Sequence, residues 1–124
     1  MGIRKFAEKF TKPVDEQDRE QLVSWCEQRG GTPLNGVALR QPVRVVGEIR
    51  SVRIVPRAGA ASLEATVQDG QGTLTAVFLG RRKIAGLSPG RRVALEGVAT
   101  KPRSAGTPGG GKDCLMYNPV YQLL

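Results

Sequence analysis

The sequence predicts a mainly β chain: a small five-stranded Greek-key barrel preceded by one α-helix. Three observations predict it. From Val43 onward, apolar residues alternate with polar ones at the strand period of two. The alternating runs are short, five in number, and separated by Gly, Pro and Asp turn signals. The one stretch with helical spacing, Leu22, Val23, Trp25 and Cys26, lies N-terminal to all of them.

The helix is expected over 15–29. Asp15 follows Pro13-Val14 as an N-cap, and Glu16 and Asp18 place negative charge in the first turn, where the helix dipole favours it. Gly30-Gly31 and Pro33 end it. Its apolar stripe is short, so it is expected to pack on something else. Residues 1–12 are basic and carry Phe6 and Phe10, as a mobile arm or a short helix. The division is therefore 1–42, basic arm and helix, and 43–124, barrel.

Val43, Val45, Gly47 and Ile49 open the first strand, which continues to Val55-Pro56. That is long for one strand, and Gly47 within it signals a bend or a close backbone approach. Arg57–Ala60 is a turn. Leu63, Ala65 and Val67 mark a second strand, Asp69-Gly70-Gln71-Gly72 a hairpin turn, and Thr73–Leu79 a third strand. Gly80–Gly90 connects, with room for one or two helical turns. Val93, Leu95 and Val98 mark a fourth strand. Lys101–Lys112 is a Gly/Pro loop, and Leu115–Leu123 a fifth strand interrupted at Asn118-Pro119.

Strands linked this way build a small barrel or sandwich. Three details favour an OB barrel over an SH3-like one. The first strand is long enough to serve both sides, the connector after strand three is long, and the loop after strand four is long and polar.

Several runs also resemble the OB-fold nucleic-acid-binding family. They are Val45-Val46-Gly47-Glu48-Ile49, Val67-Gln68-Asp69-Gly70-Gln71-Gly72-Thr73-Leu74, Leu87-Ser88-Pro89-Gly90-Arg91-Arg92-Val93 and Leu95-Glu96-Gly97. Within it, residues 43–124 are similar to the wedge domain of RecG-type fork-remodelling helicases, to anticodon-binding OB domains and to small stand-alone OB-fold proteins of actinobacteria. The ending Met116-Tyr117-Asn118-Pro119-Val120-Tyr121 is similar to the close of the wedge domains. The resemblance implies single-stranded or branched DNA as ligand ahead of RNA. No helicase motor accompanies it.

Charge points the same way. The chain has 19 Lys and Arg against 11 Asp and Glu, a formal net charge of +8. Residues 1–42 carry seven basic and six acidic side chains; residues 43–124 carry twelve and five, so nearly all the excess lies on the barrel segment. Histidine is absent, which removes the commonest general base and metal ligand. Cys26 and Cys114 are too few for a zinc site. Gly109-Gly110-Gly111-Lys112 lacks phosphate-loop spacing, and Asp113 follows it. The expectation is a binding module rather than an enzyme, with no cofactor or metal, no membrane segment and a cytoplasmic location.

Candidate contacts follow from OB ligands crossing strands two and three between the 1–2 and 4–5 loops. Arg44, Arg50 and Arg53 lie on strand one, and Arg57 in the 1–2 loop. Lys101, Arg103 and Lys112 lie in the 4–5 loop. Arg81-Arg82-Lys83 lie in the connector, either beside the groove or at the other barrel end. Arg44 and Arg50 share a face if no bulge intervenes. Phe78, Tyr117 and Tyr121 are the barrel's aromatics, each a stacking platform or a core residue. Glu64 in the groove would repel phosphate. With so few platforms, phosphate contacts should dominate, giving salt-dependent binding of low sequence specificity. The other open reading is a protein-interaction module using the barrel and the helix with Trp25.

Overall fold

The computed structural model describes residues 16–57, 59–101 and 114–124. The expected arm and cap (1–15) and most of the 4–5 loop, with Arg103 and Lys112, lie outside the described residues.

The described part of the helix, α1, covers residues 16–28. It ends at the expected glycines. Gly30 adopts φ 76°, and its N–H donates to the Glu27 carbonyl at 3.1 Å while the Gly31 N–H reaches the Cys26 carbonyl at 3.4 Å. This double closure satisfies carbonyls that the last helical turn leaves open.

Six strands follow among the described residues: β1 (Pro42–Arg57), β2 (Ala60–Gln68), β3 (Thr73–Leu79), β4 (Arg92–Thr100), β5 (Cys114–Tyr117) and β6 (Val120–Leu123). The expected fifth strand is thus two. Asn118 takes φ 49°, and Pro119 behind it has no N–H for a ladder, so the strand breaks there. The connector 80–91 forms turns only, with no helix.

The strands pair in the order β1-β2-β3-β5-β4, and β4 returns to β1, closing a ring of five; β6 continues along β4. Neighbours are antiparallel except β3 and β5, which run parallel because β4 intervenes in the sequence. The ring is uneven. β1 and β2 pair from Glu48 to Arg57, whereas β4 and β5 close through Ala99–Met116 and Thr100–Leu115.

β1 closes the ring by serving both sides. Its first half pairs with β4 from Pro42 to Glu48, and its second half pairs with β2. The change of direction falls at a bulge: Ile49 opposes Val67 and Ser51 opposes Thr66, leaving Arg50 as the extra residue. Gly47 is the close approach. A Cβ there would lie 2.6 Å from Val67 Cγ1 and 2.9 Å from the Gln68 carbonyl oxygen.

Inward residues of the strands, among them Val45, Ile49, Val67, Leu74, Leu95 and Met116, form the core. Leu34, from a short 3-10 turn (Leu34–Gly36), joins it, as do Ile84 and Leu87 of the connector. A second, smaller core lies outside the ring, where Leu22 and Cys26 of α1 cover Val46 and Ala94, with Trp25 beside them. The helix therefore uses its apolar stripe on the barrel wall. No described helix is long and apolar enough to cross a membrane.

Candidate nucleic-acid interface

Because Leu63, Ala65 and Val67 point into the core, Ser62, Glu64, Thr66 and Gln68 point outward. The same alternation turns Thr73, Thr75, Val77 and Leu79 of β3 and Leu115 and Tyr117 of β5 outward. Register aligns them in rows across the sheet: Ser51, Thr66, Thr75, Leu115; then Arg53, Glu64, Val77, Tyr117; then Val55, Ser62, Leu79. The face is mostly hydroxyl and aliphatic, and it is open only in part: Ser62, Glu64 and Val77 are buried, while Ser51, Thr66 and Thr75 keep some exposure. Tyr117, 48% exposed, and the exposed Leu79 stand at one end of it.

The arginines of β1 do not charge this face. Arg53 NH2 lies 3.1 Å from Glu64 Oε1, its register partner on β2. Arg44 NH1 lies 3.2 Å from Glu96 Oε1, its register partner on β4. Glu48 stands between Arg50 at 4.0 Å and Arg92 at 3.4 Å. Apart from Arg53–Glu64, whose carboxylate is buried, these exposed pairs add at most about 1 kcal/mol each to stability. Their larger effect is to cancel charge that the sequence alone counts as free. The bulge at Arg50 also ends the simple alternation expected to align it with Arg44. Arg44 and Arg53 fall on the two arms of the bent strand, so the β1 arginines do not converge on one groove. Glu64 has the outward parity expected of it, but it is buried and holds Arg53.

Other cations keep their charge. Arg81, Arg82 and Lys83 are exposed on the connector and form no ion pair among the described residues. They follow directly on Leu79, at the same end of the face as Tyr117. Lys101 is also exposed and lies at the opposite end, just past the Thr100–Leu115 pair. Arg40 joins it, since its N–H donates to the Ala99 carbonyl at 2.8 Å. Arg57 closes β1 opposite Ala60.

Phe78, an expected contact, is instead a core residue. It is 4% exposed and meets Tyr121 edge to face, with ring centroids 5.9 Å apart. Position 78 shares the inward parity of Leu74 and Ala76, which decides its direction. Tyr117 has the outward parity and remains open.

Two anchors escape a reading of the sequence because a key partner of each, Leu34 for Asp69 and Arg92 for Trp25, lies far along the chain. Asp69, 2% exposed, does more than shape its turn. Its Oδ1 accepts from the Gln71 and Gly72 N–H groups at 2.8 and 2.9 Å, and its Oδ2 accepts from the Leu34 N–H at 2.8 Å. It thereby ties the segment before the barrel to the β2–β3 turn. Arg19 Nε donates to the Gly70 carbonyl at 2.6 Å, so α1 holds the same turn. Gly70 (φ 88°) fits where a Cβ would meet Val23 Cγ2 at 2.6 Å. Trp25 is the second anchor, with the guanidiniums of Arg29 and Arg92 at 3.9 and 4.5 Å from its ring centroid.

Cys26 lies under the helix and Cys114 in the barrel core. Burial, reinforced by the Asp69 charge, pushes the Cys26 thiol up to about 11, against a smaller opposing pull from Arg92 and Arg29. A thiol held neutral in this way is a packing group, not a nucleophile. No three His, Cys, Asp or Glu side chains among the described residues gather to hold a metal.

No protein-family model matches this chain, and a search of curated proteins finds none significantly similar to it.

Proposed function

We propose that this chain is an OB-barrel protein that binds single-stranded nucleic acid along the outward face of β2, β3 and β5. The observation that carries the reading is the distribution of uncompensated charge. Cations without an acidic partner among the described residues stand at both ends of that face, Arg40 and Lys101 at one, Arg81, Arg82 and Lys83 at the other. The face between them is close to neutral, with the hydroxyls of Ser51, Thr66 and Thr75 at least partly exposed and Ser62, Glu64 and Val77 buried. The OB assignment is supported by the five-strand ring, its Greek-key crossing and the bent β1 that pairs on both sides. A backbone threaded from one cationic end to the other would pass Tyr117, the one exposed aromatic of the face, where a base can stack. DNA is placed ahead of RNA on the resemblance to the helicase wedge domains.

Anisotropy titrations with labelled single-stranded, duplex and forked DNA and single-stranded RNA, each over a series of salt concentrations, test the reading. Three to five phosphate contacts correspond to a log–log salt slope of about −2 to −3.5 for a single strand. Absence of binding to all four ligands at low salt refutes it.

A further inference from the structure

We infer that the open edge of β6 is a docking edge for an extended, acidic peptide segment, which adds to the sheet as a further strand. The inference does not require the nucleic-acid reading: the strand edge it uses is β6, although it shares the cations Arg81, Arg82 and Lys83 with that reading.

The Leu124 N–H donates to the Arg92 carbonyl at 2.9 Å, which fixes the phase of the β4–β6 ladder. Bonding positions alternate in an antiparallel pair. Gln122 and Val120 therefore turn their backbone groups toward β4, and Tyr121 and Leu123 turn theirs away. Among the described residues no backbone or side-chain group takes the Tyr121 or Leu123 N–H. The side chains along this edge are apolar and uncovered: Val120 is 70% exposed, Tyr121 37% and Leu124 38%.

Sheet edges are normally blunted by charge or proline. The unpaired edge of β1 beyond Ile49 follows that rule, carrying Arg53 and Pro56. β6 reads Val-Tyr-Gln-Leu and carries neither. The edge is short, four residues after Pro119, but free of charge and proline within it, and its apolar side chains are the feature that strand-adding partners use.

The charge beside it selects the occupant. The connector touches the side chains of this strand at both ends of its basic run: Phe78, before it, meets the Tyr121 ring, and Gly86, after it, packs against the Leu123 side chain. Arg81, Arg82 and Lys83 therefore lie beside the strand. An acidic segment is attracted there, whereas a second copy of this chain would bring another net +8 against it.

The test uses the full chain and two probe peptides of equal length and charge. One alternates glutamate with valine and threonine; the other alternates glutamate with proline, which cannot complete a ladder. Amide hydrogen exchange is read residue by residue. The first peptide is expected to slow exchange at Tyr121 and Leu123 at least tenfold and to leave Gln122, already bonded to β4, nearly unchanged. The proline peptide leaves all three unchanged. Val120→Glu, at a position 70% exposed and opposite Glu96, weakens the first peptide by roughly two- to fivefold, and Val120→Lys tightens it; thermal melts of both variants confirm that the sheet is retained. Equal binding of the two peptides, or no protection at Tyr121 and Leu123, overturns the inference. So does protection that appears without peptide and grows with protein concentration, which assigns the edge to a second copy. Oligonucleotide binding is scored separately, and its failure leaves these amide readings unaffected.

Discussion

Removing the Asp69 carboxylate should undock the segment before the barrel and destabilise the whole chain. In Asp69→Ala three N–H donors lose their acceptor: Leu34, Gln71 and Gly72. A buried donor left unpaired costs about 1–3 kcal/mol. The Leu34 bond is buried and is charged near the upper part of that range. The two turn donors are partly exposed and recover some of their loss from water. The sum is about 3–4 kcal/mol, a large fraction of the roughly 5–15 kcal/mol that holds a typical domain. With a urea slope of about 2 kcal/mol/M, the midpoint should fall by roughly 1.5–2 M. Asp69→Asn keeps an oxygen for the turn but sets an amide N–H2 against the Leu34 N–H, so it should fall between the two. Urea melts of the three proteins, followed by far-UV circular dichroism for the sheet and by Trp25 fluorescence for the helix, measure this. A midpoint for Asp69→Ala within about 0.5 M of the parent refutes the reasoning. So does Asp69→Asn matching the parent.

Three further expectations concern other elements. Gly47→Ala should cost about 1–3 kcal/mol by overpacking against Val67 and Gln68, while Gly36→Ala, with nothing within 4 Å, should be close to neutral in the same melts. Arg81→Glu with Arg82→Glu should weaken single-strand binding and flatten its salt slope by about 0.7 per lost phosphate contact, whereas Arg44→Ala, already paired with Glu96, should leave the slope unchanged; equal effects would discard the charge assignment. Cys26 binds its proton more tightly folded than unfolded, so its contribution is intact below the ordinary thiol value of 9.0. It is lost as pH rises from there through about 11. Stability of Cys26→Ala should therefore decline less steeply than the parent's across that window, and parallel curves would remove Cys26 as the cause.

The alternation of Val43 to Ile49, of Leu63 to Val67 and of Thr73 to Leu79 located three strands, because each strand's period is written locally. The break at Asn118-Pro119 was legible for the same reason, though not that it divides one strand into two. The charge pattern was not legible. Whether Arg44 meets Glu96, or Arg53 meets Glu64, depends on register between strands, and the bulge at Arg50 shifts that register without a residue type that announces it. The Asp69–Leu34 bond spans 35 positions and links a carboxylate to a backbone N–H, a partner every residue but proline offers. Phe78 was open between core and surface because both faces of β3 are largely apolar; the ring closure on β5 settled which face is inside.

The double duty of β1 also bears on the time course of folding. The β1–β2 and β2–β3 hairpins join near neighbours and cost little loop entropy. Closing β4 onto β1 brings together Arg44 and Glu96, 52 positions apart, after three strands are already in place. A chain whose last pairing is also its most distant should fold through an open three-stranded meander and cross its main barrier at closure. Substitutions at Val45 or Leu95 should then slow folding more than those in the β2–β3 hairpin.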